Sequence, residues 1–159
     1  MSQFSLPLTQ IIHENLSVVM NFAFSRQPLE KLVETNFRGE WKYLRKPLFS
    51  MSEQHAFKAC IELAVFMRLL DDGENISGYL RQTGEPNFGR LIMKDKPDEE
   101  LKLREVANKI IHASDLAWDL STENKPILIC SSRDTEKWGW IRAEIDVVTL
   151  AAFCGQLIS

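Results

Sequence analysis

Lys102-Leu103-Arg104-Glu105-Val106-Ala107-Asn108-Lys109-Ile110-Ile111-His112-Ala113 is the stretch from which the fold is read. Leu103, Val106, Ala107 and Ile110 recur at helical spacing and define one apolar face. Arg104, Asn108 and His112 lie four residues apart, so they form a polar stripe along the border of that face. Upstream, Pro97-Asp98-Glu99-Glu100 supplies a proline for a first helical turn and three acids for the positive end of the helix dipole. The expected central helix therefore opens at Pro97 and runs to about Ala113. Ser114-Asp115 either breaks it or lets it continue through Leu116, Trp118 and Leu120.

Working upstream, Ser50-Met51-Ser52-Glu53 has the form of a capping box. Ala56, Phe57, Cys60, Ile61, Ala64, Val65, Met67 and Leu70 follow at 3.6-residue spacing and predict a long helix. Asp71-Asp72-Gly73 reads as its solvated end, with Gly73 as terminator. It is too short and irregular for an EF-hand loop. Residues 73 to 97 hold Gly73, Gly78, Gly84, Pro86 and Gly89, and predict the longest loop, with one helical turn at Ile76 to Leu80. These glycines fit neither GxGxxG nor a P-loop, so no nucleotide site is inferred. Nearer the start, Leu8 to Phe24 predicts a first helix with Thr9 as N-cap. Ser25-Arg26-Gln27 breaks that pattern, and Pro28 suits the first position of a second, short helix through Asn36. Gly39 ends or offsets this segment. Glu40 to Lys46 predicts a short helix or turn closed by Pro47. Its Trp41 and Tyr43 among basic residues suit amphipathic packing on the core better than a basic–aromatic patch.

Downstream, Pro126-Ile-Leu-Ile-Cys-Ser-Ser132 is a short apolar run that predicts a strand. Arg133 to Lys137 is a polar turn. Trp138-Gly-Trp-Ile-Arg-Ala-Glu-Ile145 alternates with period two. Ile141, Ala143 and Ile145 are expected on one face, and Trp138, Trp140, Arg142 and Glu144 on the other. The two runs predict one β-hairpin at about 126–145. Asp146 then caps a last, apolar helix from Val147 to Leu157. The sequence thus predicts a single domain over 1–159. It is mainly α, a helical bundle of about five to seven helices with that hairpin before the C-terminal helix.

Composition narrows the function classes. A chain of 159 residues, 45% hydrophobic and 26% charged, can bury a proper core. A net charge of -3 argues against a general nucleic-acid coat and suits a basic partner protein. No apolar run reaches the roughly 18 residues that span a bilayer. Met1-Ser-Gln-Phe-Ser-Leu-Pro lacks the features of a signal peptide, so a cytoplasmic location is expected, without membrane association. Cys60, Cys130 and Cys154 read as buried free thiols. His13, His55 and His112 show no metal-ligand spacing, and no metal or other cofactor is expected.

Two features could carry function. The first is the polar stripe. A histidine can act as general acid or base near neutral pH, and an arginine can neutralise a phosphate. Together they are the minimum for metal-free RNA cleavage by attack of the 2′-hydroxyl. Arg104 followed by Asn108-Lys109-Ile110-Ile111-His112, late in a helical chain, resembles the HEPN superfamily, whose hallmark is an arginine, four to six residues, then a histidine. Here seven residues separate Arg104 from His112. The resemblance covers residues 50 to 113 and the last helix. It implies a helical bundle, in many members a homodimer, acting as a metal-independent ribonuclease of defence and toxin systems. Members that have lost the motif are binding modules. Carried over, His112 is the acid/base, Arg104 the phosphate clamp and Asn108 the orienter. The bland alternative makes Asn108 and His112 a hydrogen-bonding patch against a neighbouring segment. The second feature is Trp138-Gly139-Trp140, two rings on one strand face that are either core or a partner-binding surface. Two functions follow. One is a non-catalytic interaction module, immunity- or antitoxin-like or a degenerate HEPN domain, for a partner protein such as a basic toxin. The other is the ribonuclease.

Overall fold

A computed structural model describes residues 6–36 and 39–157. Among them are six α-helices and a five-stranded antiparallel sheet, so the chain is mainly α with more sheet than one hairpin supplies. The sequence segment of Met1 to Ser5 lies outside the described residues, as do the side chains of residues 40–42, and with them the Trp41 part of the basic–aromatic reading.

The expected first two helices are one. Helix α1 spans Leu8–Asn36 with Pro28 inside it, and Thr9 is a buried member of its first turn, not its cap. An internal proline removes a helical hydrogen bond and costs about 3 kcal/mol. Both halves hold because both are packed: Val19, Phe22 and Ala23 before the proline and Val33 after it are buried, and α1 lies along the next long helix. That helix, α2, spans Ser52–Glu74. No capping box starts it. The chain enters through a 3-10 segment, Gly39–Leu44, and a π-helical segment, Lys46–Met51, in which Pro47 takes the first turn. The Ser52 hydroxyl donates back to the Leu48 carbonyl at 2.6 Å, and Glu53 is drawn away to Arg26 of α1 at 3.2 Å.

The buried row of α2 is Ala56, Ala59, Cys60, Leu63, Ala64, Met67 and Leu70. Its small residues let α1 approach closely. Ile61 and Val65, expected in that row, are exposed instead. Helix α2 runs past Gly73 and ends at Asn75, which adopts the left-handed conformation at φ 53°. The expected loop holds two elements, helix α3 (Ile76–Thr83) and strand β1 (Gly89–Met93). Gly89 is required there. Its φ is 147°, and a Cβ would lie 2.0 Å from the Glu144 carbonyl oxygen.

The central helix is shorter at both ends than expected. Glu99–Glu100 form strand β2, helix α4 covers Leu103–Ile111, and Ala113–Asp119 form strand β3. The acids of 98–100 serve the sheet edge, where Arg90 faces Glu100 across the β1–β2 pair and binds Asp98 at 2.5 Å. Glu85 takes over at the start of α4, accepting the Leu103 N–H at 2.8 Å. The expected hairpin is present as strands β4 (Ile127–Ser132) and β5 (Trp140–Asp146), joined through a helical turn, α5 (Thr135–Trp138). The Asp146 carboxylate accepts the Val148 and Thr149 N–H groups and starts α6 (Val147–Cys154).

Strand order is β2-β1-β5-β4-β3. Leu91, Ala143, Cys130 and Leu116 lie opposite one another across four strands, and Ile145, Leu128 and Trp118 form a second such row. These rows face the helices, where Trp118 meets Phe22 of α1 and Phe57 of α2. The other face carries Arg90, Glu144, Ile129 and Ala117 in one row. Within the core cluster, Phe88 packs edge-on against Phe153 of α6, and His13 of α1 meets the Cys154 carbonyl at 2.7 Å.

The two tryptophans do not share a face. In β5 the register slips beside Ile141: Arg142 pairs with Ile92, but Trp140 pairs with Met93. The extra residue shifts parity by one. Trp140 therefore joins Ala143 and Ile145 on the helix side, 2% exposed. Trp138 precedes the strand, ends the α5 turn, and is 42% exposed.

Candidate functional site: the polar seam between α2 and α4

The stripe of α4 meets the end of α2. Arg104 Nη1 lies 2.6 Å from Asp72 Oδ1 and 3.1 Å from Asp71 Oδ2. Asp71 is 8% exposed, and it also accepts the Ser77 N–H at 2.6 Å and the Ser77 hydroxyl at 2.7 Å. It thereby ties the first turn of α3 to the last turn of α2. Burial alone would raise its pKa, but the Ser77 and Arg104 hydrogen bonds outweigh that and hold the carboxyl below its ordinary range. The Asp72 contact, then Asp71, pushes the Arg104 guanidinium further up. One turn along, Arg68 Nη1 donates to Asn108 Oδ1 at 3.0 Å. A turn further, α4 has ended, and His112 is its exposed C-cap. Its ring stands edge-on to Trp138, with centroids 5.4 Å apart.

The three sequence candidates thus divide. Arg104 and Asn108 are turned to α2 and engaged by Asp71, Asp72 and Arg68. His112 is turned to α5. Their side chains do not share a partner among the described residues. On the far side, Lys109 lies over the buried Trp140 ring at 4.7 Å, while the Trp138 turn is held by Asp134, which accepts the Lys137 N–H, and by a Lys94–Glu136 ion pair.

Sequence reasoning missed Asp71, Arg68 and Ser77 as members of the seam. One signal was available. Asp71 and Asp72 sit at the C-terminal end of α2, where the helix dipole disfavours acids. An acid pair in that place asks for a cation from elsewhere, and Arg104 is that cation.

Nucleophilic and metal chemistry find little in the remaining groups. Cys60, Cys130 and Cys154 are all buried. Burial pushes the Cys60 and Cys154 thiols up to about 12 and raises Cys130 as well. Among the described residues no group of three or more His, Cys, Asp or Glu is placed to hold a metal ion, and no helix is long and apolar enough to cross a membrane. A depression of about 390 Å³ at one end of the strands is rimmed by Arg90, Asp119, Lys125 and Glu144, charges of both signs with no convergent set. No protein-family model matches the chain, and comparison with curated proteins and with solved structures gave no match.

Proposed function

We propose that the chain is a non-catalytic interaction module, of the immunity or antitoxin kind, that binds a basic partner protein through the surface around Trp138. The observation that carries this reading is the fate of the polar groups beside that surface. Arg104 and Asn108, the groups a phosphate would need, are engaged within the fold. Trp138 stands at the surface with one ring edge on His112. A large ring held by a short capped turn presents contact area at low entropic cost, which is why tryptophan dominates binding hot spots. The net charge of -3 supports a basic partner.

The test is capture from extracts of the source cells, by wild type, Trp138→Ala and Val148→Ala. Val148 is an exposed control on α6. A partner held by wild type and Val148→Ala and lost by Trp138→Ala supports the module. A partner held equally by all three overturns the Trp138 surface.

A second reading is favoured by the exposure of His112. It is the metal-independent ribonuclease, similar to the HEPN superfamily, with His112 as acid/base, Arg104 as phosphate clamp and Asn108 as orienter. It requires Arg104 to leave two carboxylates for a phosphate. Incubation of a mixed RNA pool with EDTA present separates the readings. Cleavage by wild type that disappears in both His112→Ala and Arg104→Ala, with the variants folded, would replace the module by the enzyme.

A further inference from the structure

Helix α2 carries an apolar stripe that the described residues leave partly exposed. Ile61, Val65 and Leu69 are 46%, 40% and 44% exposed. They lie four residues apart, on one line along a 23-residue helix. The charges along this line have an unusual order. Seven residues before Val65 stands Lys58, and seven after it stands Asp72. Three residues before it stands Glu62, and three after it Arg68. Each position thus has a counterpart at equal distance on the other side of Val65: Ile61 with Leu69, Lys58 with Asp72, Glu62 with Arg68. The apolar counterparts match, and the charged counterparts are opposite in sign.

We infer that α2 is a homodimer interface, in which two copies pack their α2 helices antiparallel about a two-fold axis at Val65. A two-fold interface brings residue i against residue j and j against i. Antiparallel packing therefore sets Val65 against Val65, Ile61 against Leu69, and Lys58 and Glu62 against the opposite charges of Asp72 and Arg68. Parallel in-register packing would set like charges together at all four polar positions, and an unrelated partner would have no use for a pattern that reads the same from both ends with its signs exchanged. Within the chain these charges have partners of their own: Lys58 lies 3.8 Å from Glu62, Asp72 shares the Arg104 guanidinium with Asp71, and Arg68 donates to the neutral Asn108 amide oxygen. Antiparallel packing adds a second, opposite charge beside each of them. At 1.5 Å per residue, Lys58 and Asp72 lie about 10 Å either side of the axis, within the reach of two helices crossing at a shallow angle. The stripe shares no residue with the Trp138 surface, so different variants test the two proposals.

Sedimentation equilibrium reads the outcome directly. A two-helix contact lies toward the small end of stable interfaces, so a micromolar dissociation constant is expected and the chain is loaded up to about 200 µM. Wild type should approach twice its 18.3 kDa mass. Val65→Lys, which sets two lysines on the axis, should weaken association at least about tenfold, while circular dichroism shows an unchanged fold. Lys58→Glu and Asp72→Lys should each be weakened alone, and an equimolar mixture of the two should associate again, because their charges then match across the axis. Val65→Cys should form an intermolecular disulfide with itself on mild oxidation, and Lys58→Cys should not, since only the axial residue meets its own copy. A monomeric wild type at the highest loading overturns the proposal. So does a Val65→Lys variant that still dimerises, or a Lys58→Cys variant that links as readily as Val65→Cys.

Discussion

On the side of α2 turned to α4, Arg68 and Asp71 are charged and tied down. On the neighbouring side, Ile61, Val65 and Leu69 are apolar and face outward. Polarity alone would have assigned these sides the other way round. The difference shows that burial within a helix is decided by which neighbour arrives. A charge stays in a seam because each of its hydrogen-bonding atoms has a partner there, as Asp71 has in Ser77 and Arg104. The outward apolar row has no such explanation among the described residues, and large exposed apolar patches commonly mark interaction surfaces.

The largest expected effect separates the stripe from the true core. Leu63 is fully buried in the cluster between the helices and the sheet, so Leu63→Ala should cost about 3 kcal/mol. Leu69→Ala removes the same atoms from a half-exposed site and should cost less than about 1 kcal/mol. Urea unfolding of both variants, at concentrations too low for self-association, checks the pair. Equal losses would mean that the stripe is packed within the monomer, and the contrast would collapse.

Next comes the seam itself. Asp71→Asn keeps the shape but gives the Ser77 N–H and Arg104 a neutral partner, at an expected cost of about 2 kcal/mol near neutral pH; the half-exposed Arg104 limits its share. The pH dependence has a definite sign. The folded chain holds this carboxyl below its ordinary value, so it binds a proton less readily than the unfolded chain does. Its stabilisation is complete above the unfolded value of about 3.9 and is lost as pH falls through the lower, folded one. Urea midpoints for wild type and Asp71→Asn should therefore stand apart at pH 6 and converge toward pH 2. A constant gap across that range would remove the ionised carboxylate from the account. A smaller loss, about 1 kcal/mol, is expected for Asn108→Ala, because water can replace the amide at the half-buried Arg68.

The sequence made some elements legible and hid others for identifiable reasons. The β4–β5 hairpin and the Asp146 cap of α6 could be read because each depends on residues close in the chain. The amphipathic core of α4 was also clear, since Leu103, Val106, Ala107 and Ile110 are all buried. Its limits were not. The acids of 98–100 look alike whether they begin a helix or pair with Arg90 at a sheet edge. Residues 113–119 become a strand through pairing with β4, a contact that local pattern does not contain. Pro28 marked a helix break that tertiary packing overrides. Trp140 was placed on the wrong face because one bulged residue, Ile141, reverses every parity assignment before it. At the candidate site, the stripe residues were found and their partners were not, since Arg68 lies 40 positions from Asn108 and Asp71 lies 33 from Arg104.

The smallest expected effect is the sharpest probe of the outward stripe. Val65→Ala removes two methyl groups from a position that is 40% exposed, which should destabilise the monomer by a few tenths of a kcal/mol. Alanine is the better helix former, by about 0.6 kcal/mol, because valine loses side-chain freedom against the preceding turn. The two effects oppose each other, so the monomer should unfold within about 0.5 kcal/mol of wild type, with either sign small. Raising the protein concentration should change this. If Val65 packs against its own copy on the two-fold axis, the wild-type melting temperature rises with concentration while the variant's rises less, because association stabilises only the folded chain. Parallel melting curves for the two proteins at every concentration would mean that Val65 meets nothing, and the outward face of α2 would then be an exposed apolar row with no role in self-association.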